Sequence, residues 1–115
     1  MKNNFLDKEM KKTMLKIYIL RRVKKSKVNS YSLLKEMSGR DGSRRFFDDV
    51  KDIKNEVYNT FNSLEKSGYI KASHKVENGR LKNYYTVTKK GIDLLDSAKL
   101  VFRSSLVELT KIFHE

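Results

Sequence analysis

Apolar residues recur at helical spacing in four stretches of this chain, and in one stretch they alternate as strands do. From Phe5 to about Lys25, Phe5, Leu6, Met10, Met14, Ile17, Tyr18 and Leu20 approximate a helical stripe. Leu15, Ile19 and Val23 widen its arc, as in a helix packed on two sides. The polar side carries Lys8, Lys11, Lys12, Arg21, Arg22, Lys24 and Lys25. Residues 27–29 fit a short strand or turn. Ser30 then suits the N-cap of a second helix from Tyr31 to about Met37, with Leu33, Leu34 and Met37 inward. A third helix is predicted over about residues 54 to 67. There Val57, Phe61 and Leu64 fall at i, i+4 and i+7, and Asn55, Asn59, Asn62 and Lys66 line the opposite face. Ser67-Gly68 ends it, Gly68 being suited to the left-handed position past a helix C-terminus.

The period then changes to two. The runs 69–76 and 81–87 alternate on either side of Glu77-Asn78-Gly79-Arg80, and Asn-Gly between such runs is a strong hairpin signal. Ile70, Ala72 and Val76 share one face of the first strand, and Tyr85 and Val87 one face of the second. Thr88 is a good N-cap for a last helix running from Lys89 to about Phe113, ~25 residues or ~37 Å at 1.5 Å each. Its later apolar residues reach beyond any core the preceding residues can offer. An apolar stripe with no partner in its own chain usually meets a second copy, so Leu95, Phe102, Leu106, Leu109 and Phe113 are the expected dimer contacts. The fold class is therefore α+β and mostly α. It is a winged helix-turn-helix over residues 1–87 with a two-stranded hairpin wing, then a long C-terminal dimerisation helix over 88–115, forming one compact domain overall.

Residues 38–53 break the pattern. Ser-Gly-Arg-Asp-Gly-Ser is loop chemistry, whereas Phe46, Phe47, Val50 and Ile53 have helical spacing and predict a short extra helix on the core. Stacking of the Phe pair on exposed bases beside Arg44 and Arg45 is the alternative. Asp48, Asp49 and Asp52 read as charges favouring a helix N-terminus, with no His nearby to make a metal set.

Residues 57–70, VYNTFNSLEKSGYI, resemble the recognition helix of PadR-like transcriptional regulators through Val57-Tyr58, Phe61, Leu64, Gly68 and Ile70. The run KNYYTVTKKG resembles that family's second wing strand and the helix start after it, with Tyr84-Tyr85, Val87, Thr88 and Gly91 in place. Tyr31 and Leu33 match its earlier helix. The family's Pro near the recognition helix is Lys54 here, its Gly before Tyr31 is Ser30, and residues 38–53 are an insertion. The resemblance implies a dimer built by the first and last helices, and binding to double-stranded DNA.

Charge narrows the partners. Lys and Arg outnumber Asp and Glu 26 to 14, for a net +12. The excess sits in residues 1–27, at +8, and 71–90, at +5, while 28–70 sum to 0 and 91–115 to −1. Such a surface suits a polyanion: DNA, RNA or acidic membrane by charge alone. A rigid helix in a groove favours DNA, because the A-form major groove is too narrow to read. No apolar run approaches the ~20 residues of a membrane span. No Cys excludes disulfides, thiolate zinc sites and thiol switches, and fits the cytoplasm as location. His74 and His114 stand apart, the five glycines form no phosphate-binding loop, and no nucleophile–base or metal set exists. No catalytic residue, metal or cofactor is expected.

The asparagine stripe leaves two readings open. Asn is a mediocre helix former, common on solvated faces. Its amide can also pair with adenine N6 and N7 in the major groove. On the second reading Asn55, Asn59 and Asn62 face base edges, Ser63 and Lys66 face phosphate, and the wing contributes Lys75, Asn78, Gly79, Arg80 and Lys82. The function expected is a sequence-specific DNA-binding transcriptional regulator, read as a repressor, acting as a homodimer on a pseudo-palindromic operator. The rivals are an architectural DNA-coating protein and a winged-helix protein-interaction module. An aromatic-lined cavity at the dimer interface, near Tyr18, Phe102 and Tyr31, could take a small effector, although no residue pattern points to one.

Overall fold

The computed structural model describes residues 4–38 and 53–114. They run α1 (Asn4–Lys25), α2 (Ser30–Ser38), α3 (Ile53–Lys66), β1 (Ile70–Glu77), β2 (Arg80–Val87) and α4 (Lys89–Phe113), with the two strands antiparallel. This is the expected winged helix-turn-helix with a hairpin wing and a long last helix. The extra helix expected within 38–53, with Phe46, Phe47 and Val50, lies outside the described residues, as do Asp48, Asp49 and Asp52. Ile53 opens α3, half-buried against the core.

The core gathers Leu15, Ile19, Leu20 and Val23 of α1 with Leu33 and Met37 of α2 and Val57, Phe61 and Leu64 of α3. Val28, Ile70 and Tyr85 close it from the sheet side. Phe61 and Tyr85 meet with ring centroids 4.6 Å apart, tilted by 32°, a favourable aromatic arrangement. Burial pushes the Tyr85 hydroxyl pKa up. Val28 exchanges backbone hydrogen bonds with Tyr85 at 2.9 and 3.3 Å, which makes residue 28 a one-residue third strand. Thr60 is the one polar residue buried among those described. Its hydroxyl donates to the Glu56 carbonyl at 2.7 Å, so its burial leaves nothing unsatisfied.

The two ends of α1 have different fates. Leu15, Ile19, Leu20 and Val23 are covered, whereas Phe5, Leu6, Met10 and Met14 are exposed. Arg22 ties α1 to α2 by a two-pronged bond to Glu36, at 3.0 Å from Nε and 2.9 Å from Nη2. That partner raises the Arg22 pKa. The N-cap of α2 is Asn29 rather than Ser30: the Asn29 side-chain oxygen accepts from the Ser32 N–H at 2.6 Å. Both residue types cap well, and a cap one residue earlier reaches the third N–H of a helix that starts at Ser30.

The end of α3 is a complete Schellman arrangement. Gly68 is left-handed at φ +80°, the Tyr69 N–H bonds the Leu64 carbonyl at 2.9 Å and the Gly68 N–H bonds that of Glu65 at 3.0 Å. The hairpin turn has Asn78 at φ 52° and Gly79 at φ 74°, the two positive values of a type I′ turn that matches strand twist. Register pairs Ile70 with Val87, Ala72 with Tyr85 and Val76 with Leu81. Val76 therefore has the expected facing but not burial. It is 68% exposed, opposite a Leu81 that is 67% exposed, because the strands run past the body that covers Ala72 and Tyr85.

Thr88 caps α4 as expected, its hydroxyl oxygen accepting from the Gly91 N–H at 3.2 Å. A Cβ on Gly91 would collide with the Tyr69 carbonyl oxygen and stand 2.7 Å from Val87 Cγ2, so only Gly lets α4 start this close to β1. Leu94, Leu95 and Ala98 of α4 pack on the body. From Lys99 to His114 every residue is exposed, and the molecule is 61 Å long against 32 and 23 Å across.

Phe61→Ala removes the largest fully buried side chain and is expected to cost about 3–5 kcal/mol, read as a lower midpoint in urea unfolding. Tyr58→Phe, at a half-buried position on the same helix, should change that midpoint far less.

Candidate nucleic-acid interface

Burial of Val57, Phe61 and Leu64 decides which side of α3 is left in solvent. Asn55, Asn59, Asn62, Ser63 and Lys66 are all exposed there, joined by Lys54 of the first turn. The helix thus brings together the five residues singled out on it. Three short amides and a lysine present paired donors and acceptors with net positive charge. The neighbouring carboxylates lie to the sides, Glu56 half-buried and Glu65 exposed.

The wing is less simple. Register puts Ser73, Lys75 and Glu77 on one face with Tyr84, Lys82 and Arg80 opposite them. Glu77 is the centre of that face. It accepts the Tyr84 hydroxyl at 2.9 Å and pairs with Lys75 at 3.5 Å and Lys82 at 3.6 Å. The Tyr84 hydrogen bond, followed by the two lysines, lowers the Glu77 pKa, and the same bond raises that of Tyr84. Lys27 lies 5.3 Å from the Tyr84 ring centroid, a further cation on that face. So two of the three wing cations named from the sequence share a carboxylate. Arg80, exposed beside the Asn78-Gly79 turn, makes no ion pair among the described residues. Sequence reasoning missed this network, although the two-residue turn alone puts Glu77 on the same face as Lys75, Lys82 and Tyr84.

His74 sits exposed in β1 and hydrogen-bonds the Asn83 side chain across the strands. Among the described residues no group of three His, Cys, Asp or Glu is arranged to hold a metal ion. No described helix is long and apolar enough to cross a membrane.

The predicted association residues divide. Leu95 is half-buried against its own core, whereas Phe102, Leu106, Leu109 and Phe113 are exposed, Phe113 at 80%. The exposed Phe5, Leu6, Met10 and Met14 of α1 add apolar surface on the helix that the resemblance pairs with the last one. Tyr31 is exposed with Lys35 5.2 Å from its ring centroid. Phe102 lines open hollows of about 360 and 680 Å³ beside α1 and α4, neither of which includes Tyr18 or Tyr31.

A family model described as the transcriptional regulator PadR-like family matches residues 19–97, more than two thirds of the chain. The chain belongs to the PadR-like family of transcriptional regulators. The match runs from the buried half of α1 to the point where α4 leaves the body. A search of curated proteins by sequence found no match. Solved structures share the fold of this PadR-like protein. A PadR family transcriptional regulator from Eggerthella lenta has a TM-score of 0.71 at 16% identity, covering 91% of this chain and 86% of that one. One from Clostridium difficile has 0.64 at 20%, covering 86% and 97%. Bacillus subtilis PadR, solved in complex with operator DNA, has 0.61 at 22%, covering 73% of this chain and 44% of that one.

The wing network of the PadR-like protein sets a pH window. Glu77, with its pKa lowered, adds stability above the ordinary carboxylate range and loses it as pH falls through the lowered value. Tyr84, with its pKa raised, keeps its bond until pH rises past the ordinary tyrosine value of 10.0. The network is therefore intact throughout the neutral range. In an NMR titration the Glu77 carboxyl should have a midpoint below that of an exposed glutamate, and Tyr84→Phe should move it up.

Proposed function

We propose that this PadR-like regulator binds duplex DNA sequence-specifically as a homodimer, with α3 in the major groove, and represses transcription from a pseudo-palindromic operator. The observation that carries the reading is the outer face of α3: an exposed stripe of Asn55, Asn59 and Asn62, backed by buried Val57, Phe61 and Leu64. An exposed amide on a helix held rigid from behind suits adenine N6 and N7 in the groove, and Ser63 and Lys66 suit phosphate. The operator complex of the structurally similar Bacillus subtilis PadR supports the DNA reading.

In the wing, Asn78 and Gly79 form the tip and Arg80 is the cation available to reach phosphate or a narrow minor groove. Lys75 and Lys82 act there at reduced charge, shared with Glu77. The exposed apolar side chains of α4, Phe102, Leu106, Leu109 and Phe113, support a second copy of the chain as partner. Residues 91–115 sum to −1, so this segment adds little repulsion between copies. A two-fold dimer reads half-sites about one helical turn apart. The cytoplasm is the location that goes with this reading. We assign no effector, cofactor or catalytic step.

The test is selection from random duplexes, with the winners titrated by fluorescence anisotropy at two salt concentrations. A two-fold motif bound at least ~10³ tighter than scrambled duplex is expected. Tight binding without preference would replace the reading with an architectural protein, and no binding at low salt would replace it with a protein-interaction module. Asn59→Ala should cost ~1–3 kcal/mol at one base position only. Arg80→Ala should weaken binding to every sequence and lower the salt slope by about one, whereas Glu77→Gln should steepen it by up to about two. Leu106→Asp should yield a monomer in sedimentation that binds half-sites weakly.

A further inference from the structure

Core packing holds α3 by one face, and hydrophobic contact is not directional. A directional constraint is added at its C-terminal end, where three consecutive carbonyls are each taken by Thr88 or Lys90 at the start of α4. The Ser67 carbonyl accepts the Lys90 ammonium at 2.7 Å. The Gly68 carbonyl accepts the Thr88 hydroxyl at 2.6 Å. The Tyr69 carbonyl accepts the Thr88 N–H at 3.1 Å, with Gly91 leaving α4 room to lie against it. The Thr88 hydroxyl also caps α4 through Gly91, so one oxygen closes the exit of one helix and the start of the next. The Lys90 stem lies over Gly68, and its ammonium is 4.8 Å from the Tyr69 ring centroid.

We infer that Lys90 is a positioning residue: with Thr88 and Gly91 it forms a joint that sets the angle between α3 and α4, and through that angle the operator half-site spacing the protein prefers. The spacing part rests on the DNA-binding dimer proposed above, whereas the joint itself does not. Hydrogen bonds weaken steeply away from alignment, so three of them on successive peptide units resist both tilt and slide of α3. Two copies joined along α4 would present their α3 helices at a separation fixed by this angle. A loosened joint would leave each α3 able to read its own half-site but less able to hold a fixed distance from its twin.

Lys90→Met keeps the alkyl stem over Gly68 and removes the bond, and Lys90→Arg restores a cationic donor. Lys90 is exposed, so neither change disturbs the core. The chain has no cysteine, which allows spin labels at Lys54→Cys on α3 and Ser104→Cys on α4, diluted with unlabelled chain so that only distances within one chain are read. Lys90→Met is expected to broaden or shift the α3–α4 distance, and Lys90→Arg to return it. Against operators with half-sites moved by one or two base pairs, Lys90→Met should lose roughly 3- to 30-fold of the discrimination between spacings. Its affinity for a single half-site should stay within about twofold of the parent's. An unchanged distance in Lys90→Met overturns the joint. A changed distance with unchanged spacing discrimination overturns its role in specificity. If the parent protein binds no DNA, the function proposed above fails, and the distance measurement still decides the joint.

Discussion

Tyr85 is the point on which the parts of this fold converge. Its ring meets Phe61 of α3, its backbone pairs with Val28 on one side, and on the other it sits opposite Ala72 of β1. The helix that carries the asparagine stripe, the connection between the first two helices and the wing therefore all meet at this residue. Its alternation with half-buried Tyr84 and exposed Thr86, which lie on the other face, is what strand geometry requires. The buried member anchors the wing, and Tyr84 beside it organises the polar face through Glu77. Neighbouring tyrosines thus take opposite tasks because a strand turns successive side chains to opposite faces.

Much of the fold was legible in the sequence because local chemistry and global packing agree at the decisive places. Val57, Phe61 and Leu64 mark the inner face of α3, Asn78-Gly79 fixes the turn and with it the register, and Thr88 starts α4 where a threonine caps best. What could not be read depends on the extent of the body rather than on pattern. Alternation places Val76 on the inward face but cannot say that the body ends before reaching it. Asn29 and Ser30 are both good caps, and the choice follows from where the first turn of α2 lies. Leu95 and Phe102 share a stripe, yet the first still touches its own core and the second does not.

The candidate site was legible as a set of residues and illegible as a distribution of charge. Counting cations made the wing a source of strong positive potential. Pairing through Glu77 redistributes it, leaving Arg80 beside the turn as the one of these three cations that makes no ion pair among the described residues. The potential near the tip is thereby concentrated at one planar guanidinium rather than spread over three flexible side chains, and Arg forms directional bonds that Lys does not.

The free edge of the wing has another consequence. Val28 covers the outer side of β2 only at Tyr85, and β1 has no strand beyond it among the described residues. An open edge is a template for strand addition by another chain, and so a route from a folded sheet to an aggregate. Here that edge carries exposed Lys71 and Lys75, the residue type that natural sheets use to discourage such pairing. Positive charge on this strand is thus of the kind that disfavours pairing of two such edges, a role separate from contact with any ligand.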